Sequence, residues 1–145
     1  MQRPQIYIKD FQKFVTRAPH LYHIRSEDNR LISYVPNETQ LKLNKIINEE
    51  KERTKELYDG YSQIRLLNLK GRQLGVSTDT ALRNIDNMSM VDLYNVQVLA
   101  HDDETTQLLY DIYTRCYENI PTEVDIVDID GNIIEAGYPI KPDTK

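Results

Sequence analysis

Four stretches of the 145-residue chain place their apolar residues at the spacing of a helix face. The first, residues 5–17, predicts a short helix that ends before Pro19, because the residue preceding a proline is disfavoured in helical geometry. A longer and sparser stripe follows Asn37, whose side chain can cap a helix. Two further helices are predicted on the same grounds, around residues 81–88 and over 104–119.

Short β-prone runs flank turn-forming residues near both ends of the chain. Residues 21–25 and 31–35 surround the segment Ser-Glu-Asp-Asn, which predicts a small hairpin. Residues 124–129 and 132–136 surround Asp130-Gly131, the dipeptide that most favours a type I′ turn. The sequence therefore predicts a β-hairpin near each end.

Between these hairpins, two apolar runs have the character of buried strands. Residues 63–69 precede a glycine-containing loop and the helix at 81–88, and residues 95–100 precede the helix at 104–119. Alternation of strand and helix predicts a right-handed βαβ unit with a parallel sheet. The expected fold class is thus α/β, with a parallel core and additional N- and C-terminal hairpins.

Composition narrows the class of protein. With 39% hydrophobic and 28% charged residues, the chain has the balance of a soluble globular domain. No apolar run approaches the roughly 18 to 20 residues that span a bilayer, so we expect a cytosolic protein without membrane association. The single cysteine, Cys116, excludes an internal disulfide and is predicted to be a small hydrophobe on a helix.

The net charge of -5 conceals an asymmetry along the chain. Residues 1–80 carry 14 basic and 10 acidic residues, net +4, whereas residues 81–145 carry 4 and 13, net -9. Any basic surface is therefore expected in the first half. The acidic residues 102–104 are attributed to favourable charge at a helix amino end rather than to metal binding.

The loop after the first predicted buried strand carries the candidate chemistry. A phosphate-binding loop of the form G-x-x-x-x-G-K-[ST] uses backbone N–H groups, a lysine and a hydroxyl around phosphate and magnesium. Aligning Gly75 and Ser77 with that pattern puts Lys70 at the first glycine and Val76 at the lysine. The standard pattern fails at both positions, and any strand-to-helix turn uses a glycine. Spacing alone therefore favours a structural turn, although Lys70 and Arg72 supply cations.

Residues 69–78 read L-K-G-R-Q-L-G-V-S-T, and this segment resembles the variant Walker A motif of large terminase subunits. These proteins are the DNA-packaging motors of tailed bacteriophages. In some of them the functional lysine lies at the start of the loop, where Lys70 stands. Residues 37–40, N-E-T-Q, are similar to an N-x-x-Q motif of the same family. Together with weaker similarity downstream, the resemblance spans about residues 20–121.

The resemblance implies a site for ATP and Mg²⁺. Lys70 would pair with the phosphates, Arg72 would sense the γ-phosphate or a neighbouring subunit, and Ser77 would hold magnesium. Gln40 would lie near the adenine, although its position three residues after Asn37 equally suits a capping-box arrangement. The implied nucleotide-contacting set is Gln40, Lys70, Gly71, Arg72, Gln73, Gly75, Val76, Ser77 and Thr78.

The same resemblance implies a role in viral genome packaging. The complete protein would be an ATPase that translocates double-stranded DNA in the host cytoplasm, as a homo-oligomer working with a portal protein and a small terminase subunit. Residues 1–36 would form an arm and hairpin, and residues 37–145 the amino-terminal part of the ATPase domain. A Walker B strand is expected beyond Lys145, because the acids at 125–130 suit a solvated strand face.

Two other functions fit the same pattern. A helicase-like ATPase would share the fold class and the phosphate-binding loop. A non-catalytic interaction protein could retain the βαβ scaffold after losing the lysine at Val76. A test of nucleotide binding distinguishes the interaction protein from the terminase and the helicase-like ATPase.

Overall fold

The computed structural model describes residues 3–57, 75–91, 94–100 and 102–141. Over these residues the chain has a mixed α/β structure, with helices, a three-stranded sheet and a separate two-stranded sheet. It divides into two compact units. The larger comprises Met1–Val35 and Thr80–Lys145, and the smaller comprises Pro36–Asp79.

The three-stranded sheet joins the two ends of the chain. Strand β1 (Gln5–Tyr7) pairs in parallel with β4 (Glu123–Val127), and β4 pairs antiparallel with β5 (Ile133–Pro139). The helix predicted over residues 5–17 is therefore wrong at its start. These three residues form a strand because they pair with β4, about 120 residues downstream. A pattern of neighbouring residues carries no information about so distant a partner.

Two short helices follow β1, namely α1 (Ile8–Phe11) and α2 (Phe14–Leu21). The prediction that the helix ends before Pro19 is also wrong, because Pro19 lies inside α2. A proline at this position removes one N–H donor near the carboxyl end of the helix. Ala18 and Leu21 on either side of it are fully buried. Burial of this last turn offsets the missing hydrogen bond.

The first predicted hairpin is confirmed. Strand β2 (His23–Arg25) pairs antiparallel with β3 (Leu31–Ser33). Its loop closes through a hydrogen bond from the Ser26 amide to the Arg30 carbonyl at 2.8 Å. Asn29 adopts the left-handed conformation, with φ 68°. Asparagine tolerates this region better than other side chains do, and so terminates the turn.

The carboxyl-terminal hairpin is confirmed as β4 and β5, but its turn differs from the predicted type I′. The Gly131 amide donates to the Asp128 carbonyl at 3.0 Å, and the Asp128 amide donates to the Asn132 carbonyl at 2.9 Å. Only Gly131 of the loop has a positive φ, 84°, whereas type I′ requires two such residues. The loop is a three-residue turn. The Asp128 carboxylate stabilises this turn by accepting hydrogen bonds from the amides of Asp130 and Asn132.

The three longer helices lie close to their predicted positions: α3 (Glu38–Leu57), α4 (Val76–Met90) and α5 (Asp103–Glu118). Asp102 caps α5 by accepting from the Thr105 amide at 2.7 Å, and this hydrogen bond lowers the pKa of the Asp102 carboxyl. The predicted position of the acidic residues 102–104 at a helix amino end is confirmed. The apolar stripe of α5 is buried only at its end, since Leu108 is exposed and Cys116 is buried.

The buried strand predicted at residues 95–100 is absent. Residues 94–100 form no strand, and the Leu99 side chain is 83% exposed. The predicted partner strand, residues 63–69, lies outside the described residues. A β-prone run becomes a strand only when a ladder partner satisfies its backbone groups, so composition alone is insufficient. The parallel pairing in the described residues is instead that of β1 with β4.

The core of the larger unit draws on both ends of the chain. Cys116 belongs to it as the small hydrophobe that was predicted, and burial raises the pKa of its thiol to about 12. Phe11, Phe14, Met88 and Tyr113 pack around this core while remaining partly exposed. The cluster consists of Ile6, Ala18, Leu21, Tyr22, Tyr34, Leu82, Ile85, Cys116, Ile120, Val124 and Ile140.

A buried polar cluster joins α2 to α4 within this unit. The Arg17 guanidinium donates to both carboxylate oxygens of Asp86, from Nε at 2.7 Å and Nη2 at 2.5 Å, and the Tyr22 hydroxyl donates to Asp86 Oδ1 at 2.6 Å. Burial opposes the charge on Arg17, but the hydrogen bond and charge of Asp86 outweigh it and raise the Arg17 pKa. Burial and the same carboxylate raise the pKa of Tyr22. The cluster is neutral overall and fully hydrogen-bonded at Asp86.

Asp125 does not lie on a solvated strand face as predicted. It is only 6% exposed, and its Oδ1 accepts from Arg3 Nε at 2.9 Å and from the Gly137 amide at 2.9 Å. The alternating acids misled the prediction because both faces of β4 are covered, with Val124, Ile126 and Val127 also buried. Among the described residues, no helix is long and apolar enough to cross a bilayer.

The Asp86 cluster generates a stability prediction. Asp86→Ala leaves the Arg17 guanidinium buried without its counter-charge, and breaking a buried pair in this way costs about 3–5 kcal/mol. Urea denaturation should show that loss. Asp28→Ala is the matched control, because it removes a pair with Arg30 in which both side chains are more than 60% exposed. The control should lose less than about 1 kcal/mol. Similar losses for the two variants would contradict the importance of the cluster.

Candidate functional site

The described part of the candidate site lies at the start of α4. Gly75 precedes the helix in a left-handed conformation, with φ 76°. Its carbonyl accepts the first helical hydrogen bond, from the Asp79 amide at 2.9 Å. The amides of the first helical turn before Asp79 have no backbone acceptor within the helix, which is the feature of helix starts that anion-binding sites use. Ser77 and Thr78 place two hydroxyls in this turn.

Asn37 and Gln40 cap α3 reciprocally. The Gln40 amide donates to Asn37 Oδ1 at 2.9 Å, and the Asn37 amide donates to Gln40 Oε1 at 2.8 Å. This is the arrangement of a capping box, with amide side chains in place of the usual hydroxyl and carboxylate. The capping interpretation of the N-x-x-Q spacing is confirmed.

Gln40 also connects the two helix starts of the smaller unit. Its Nε2 donates to the Gly75 carbonyl at 2.9 Å, and the residue is only 5% exposed. One end of the amide faces an N–H donor and the other faces a carbonyl acceptor, so the orientation of the side chain is determined by its partners. One hydrogen bond thereby joins Gln40 and Gly75, which are 35 positions apart in the sequence.

A side chain at Gly75 would have to displace the Gln40 amide from this contact. A Cβ there would lie 2.5 Å from Gln40 Nε2 and 3.3 Å from Asn37 Nδ2. The backbone conformation separately disfavours any other residue. Gly75 is therefore required both by its φ angle and by the close approach of Gln40.

The nucleotide-contacting residues implied by the resemblance divide into two groups. Gln40, Gly75, Val76, Ser77 and Thr78 are described, and all belong to the smaller unit. Lys70, Gly71, Arg72 and Gln73 lie outside the described residues. The structure therefore places Gln40, the residue implied to lie near the adenine, beside the start of α4. The two implied catalytic residues, Lys70 and Arg72, stay predictions.

The donor set suits part of a nucleotide. Backbone amides and the Ser77 hydroxyl have the chemistry that phosphate and Mg²⁺ require. The side chain of Val76 is 8% exposed and apolar, so the lysine position of the standard motif supplies no cation. The resemblance implies that positive charge for a phosphate comes from Lys70 and Arg72, which lie outside the described residues. No group of three or more His, Cys, Asp or Glu side chains assembles into a metal site within the described ranges.

One residue of this region was missed by sequence reasoning. Asp79 is fully buried in the first turn of α4. Acids are favoured there by the helix dipole, which is the one signal that could have indicated it.

No protein-family model, no curated protein and no solved structure is similar to the chain at a level that indicates a relationship.

The Gly75 contact predicts a difference between two glycines with similar backbone angles. Gly75→Ala should destabilise the protein by about 1–3 kcal/mol more than Gly131→Ala, because inserted volume in a packed site costs that much. A Cβ at Gly131, where φ is 84°, meets no atom within 4 Å. Urea denaturation of both variants measures the difference. In a Gln40→Ala background the excess cost of Gly75→Ala should fall, because only the 3.3 Å approach to Asn37 Nδ2 remains. Equal costs in the native background would contradict the close contact.

Proposed function

We propose that this chain is the nucleotide-binding part of a P-loop ATPase of the terminase large-subunit type. In the complete protein, ATP hydrolysis would drive double-stranded DNA into a viral procapsid. The observation that carries the proposal is the hydrogen bond between Gln40 and Gly75. It joins the N-x-x-Q segment to the Walker A-like segment, which is the specific part of the resemblance.

Within this proposal each group has a defined task. The amides at the start of α4 bind phosphate oxygens, and the Ser77 hydroxyl holds Mg²⁺. Lys70 pairs with the phosphates and Arg72 responds to the γ-phosphate or to a neighbouring subunit. An ion held by Ser77 would supply positive charge to the phosphates. Catalysis then depends on positioning and electrostatics rather than on a covalent intermediate.

The proposed partners follow from the proposed activity. They are double-stranded DNA, a portal protein and a small terminase subunit, in the host cytoplasm, with several copies of the chain in the working motor. The net charge of +4 in residues 1–80 supports contact with the DNA backbone in that half of the chain.

One observation favours a second candidate. The buried, apolar Val76 side chain stands where a standard phosphate-binding loop has its lysine, so this position offers no cation to an anion. This feature supports a non-catalytic interaction protein on the same scaffold. Titration with a fluorescent ATP analogue distinguishes the two candidates, since the interaction protein binds no nucleotide.

Lys70 is the residue on which nucleotide binding should depend most. Lys70→Ala should weaken binding of the ATP analogue at least about tenfold, because it removes a charged hydrogen-bond partner of the phosphates. Lys45→Ala is the matched control, since the Lys45 side chain is 78% exposed on α3. The control should bind like the wild type. An unchanged affinity for Lys70→Ala would exclude Lys70 as the displaced Walker lysine.

Ser77 should determine the effect of magnesium. In the wild type, Mg²⁺ should strengthen ATP binding, and removal with EDTA should abolish the gain. Ser77→Ala should bind ATP equally with and without Mg²⁺, because the hydroxyl that holds the ion is gone. Ser89→Ala makes the same change on the same helix, where the hydroxyl donates to the Ile85 carbonyl instead. If magnesium dependence survives in Ser77→Ala, the assignment is wrong.

A further inference from the structure

The side-chain amide of Gln40 has the donor and the acceptor that could recognise an adenine. A glutamine recognises adenine by accepting a hydrogen bond from its exocyclic amine through Oε1 and donating to a ring nitrogen through Nε2. Here Oε1 accepts from the Asn37 amide at 2.8 Å, and Nε2 donates to the Gly75 carbonyl at 2.9 Å. Both ends of the side chain are therefore already engaged, and the side chain is buried.

We infer that Gln40 is a positioning residue that holds the Gly75 turn and does not read the base. The inference rests on the proposed nucleotide site and departs from the base-contacting role that the family resemblance implies. Its consequence is that any selectivity between ATP and GTP arises elsewhere. Gln40 instead determines how well the start of α4 is arranged for phosphate.

Energetics favour the positioning role. The two bonds occupy one acceptor position of Oε1 and one N–H of Nε2. Because Gln40 is only 5% exposed, a base could reach the remaining positions only by displacing the groups that cover the side chain. Holding a turn by two donors restricts the conformations of the glycine, which otherwise has unusual backbone freedom. Binding to a turn that is already ordered costs less than binding to a loose one.

The chemistry of the contact supplies a selective variant. Gln40→Glu keeps Oε1 as the acceptor for the Asn37 amide, and glutamate is the usual residue at this position of a capping box. It replaces the donor Nε2 by an oxygen that faces the Gly75 carbonyl. The variant thus removes the contact to Gly75 and preserves the α3 cap. Asn48→Asp makes the same amide-to-carboxylate change on an exposed part of α3 and serves as the control.

Nucleotide affinity is the first readout. Magnesium complexes of ATP and GTP are titrated into the wild type, Gln40→Glu and Asn48→Asp by calorimetry. Gln40→Glu should weaken both nucleotides by about tenfold, leaving the ratio of the two dissociation constants unchanged within about twofold. A loss confined to ATP would show that Gln40 reads adenine and would overturn the inference. Reduced thermal stability with both affinities intact would also overturn it, since that describes a purely structural residue.

Amide hydrogen exchange is the second readout and needs no nucleotide. Gln40→Glu should accelerate exchange at Asp79, whose amide donates to the Gly75 carbonyl, by about tenfold. Exchange at Leu41, whose amide donates to the Asn37 carbonyl at 2.9 Å, should not change. Unchanged exchange at Asp79 would contradict the positioning role. If the wild type binds neither nucleotide, the proposed function fails, and the exchange at Asp79 still decides whether Gln40 holds the turn.

Discussion

The carboxylate of Asp125 is the constraint on which the larger unit depends. It accepts from Arg3, just before β1, and from the Gly137 amide in β5, so one buried acid on β4 connects all three strands of the sheet. A three-residue strand such as β1 has few ladder hydrogen bonds of its own, and the ion pair aligns it against β4. This alignment places Ile6 in the core and sets the direction in which the chain continues to α2. Asp86 plays the corresponding part for the helices, since it holds Arg17 and Tyr22 against α4. Both buried acids are paired, as burial of charge requires.

The smaller unit uses a neutral group for the same purpose. Gln40 closes the cap of α3 and also holds the carbonyl of Gly75 at the start of α4. A side chain that joins two helix starts can transmit a change at one to the other, because moving either breaks a buried hydrogen bond. The proposed phosphate site therefore depends on a residue outside its loop. This dependence gives the N-x-x-Q segment a physical purpose even in a protein that binds no nucleotide.

Much of the local structure follows from the sequence. The start of α3 after Asn37, the start of α5 after Asp102 and both hairpins were predicted, because caps and turn residues act within a few positions. The predictions failed where a distant partner intervened. Residues 5–7 became a strand beside β4, α2 continued through Pro19 to bury Leu21, and residues 94–100, although β-prone, formed no strand. The turn at Gly131 was correctly located but differs in type, because the Asp128 side chain stabilises a longer loop.

The candidate site also combines features that follow from the sequence with features that depend on the tertiary structure. The sequence by itself determined that a glycine and two hydroxyls precede and open a helix, and that Gln40 could cap another, since these are relations between near neighbours. Only the tertiary structure decided that Gln40 meets Gly75, that Asp79 is buried and that Asp125 is paired rather than solvated. Contacts between residues 35 or 122 positions apart are set by packing of whole elements. Local propensity carries no information about which distant group will satisfy a buried polar atom.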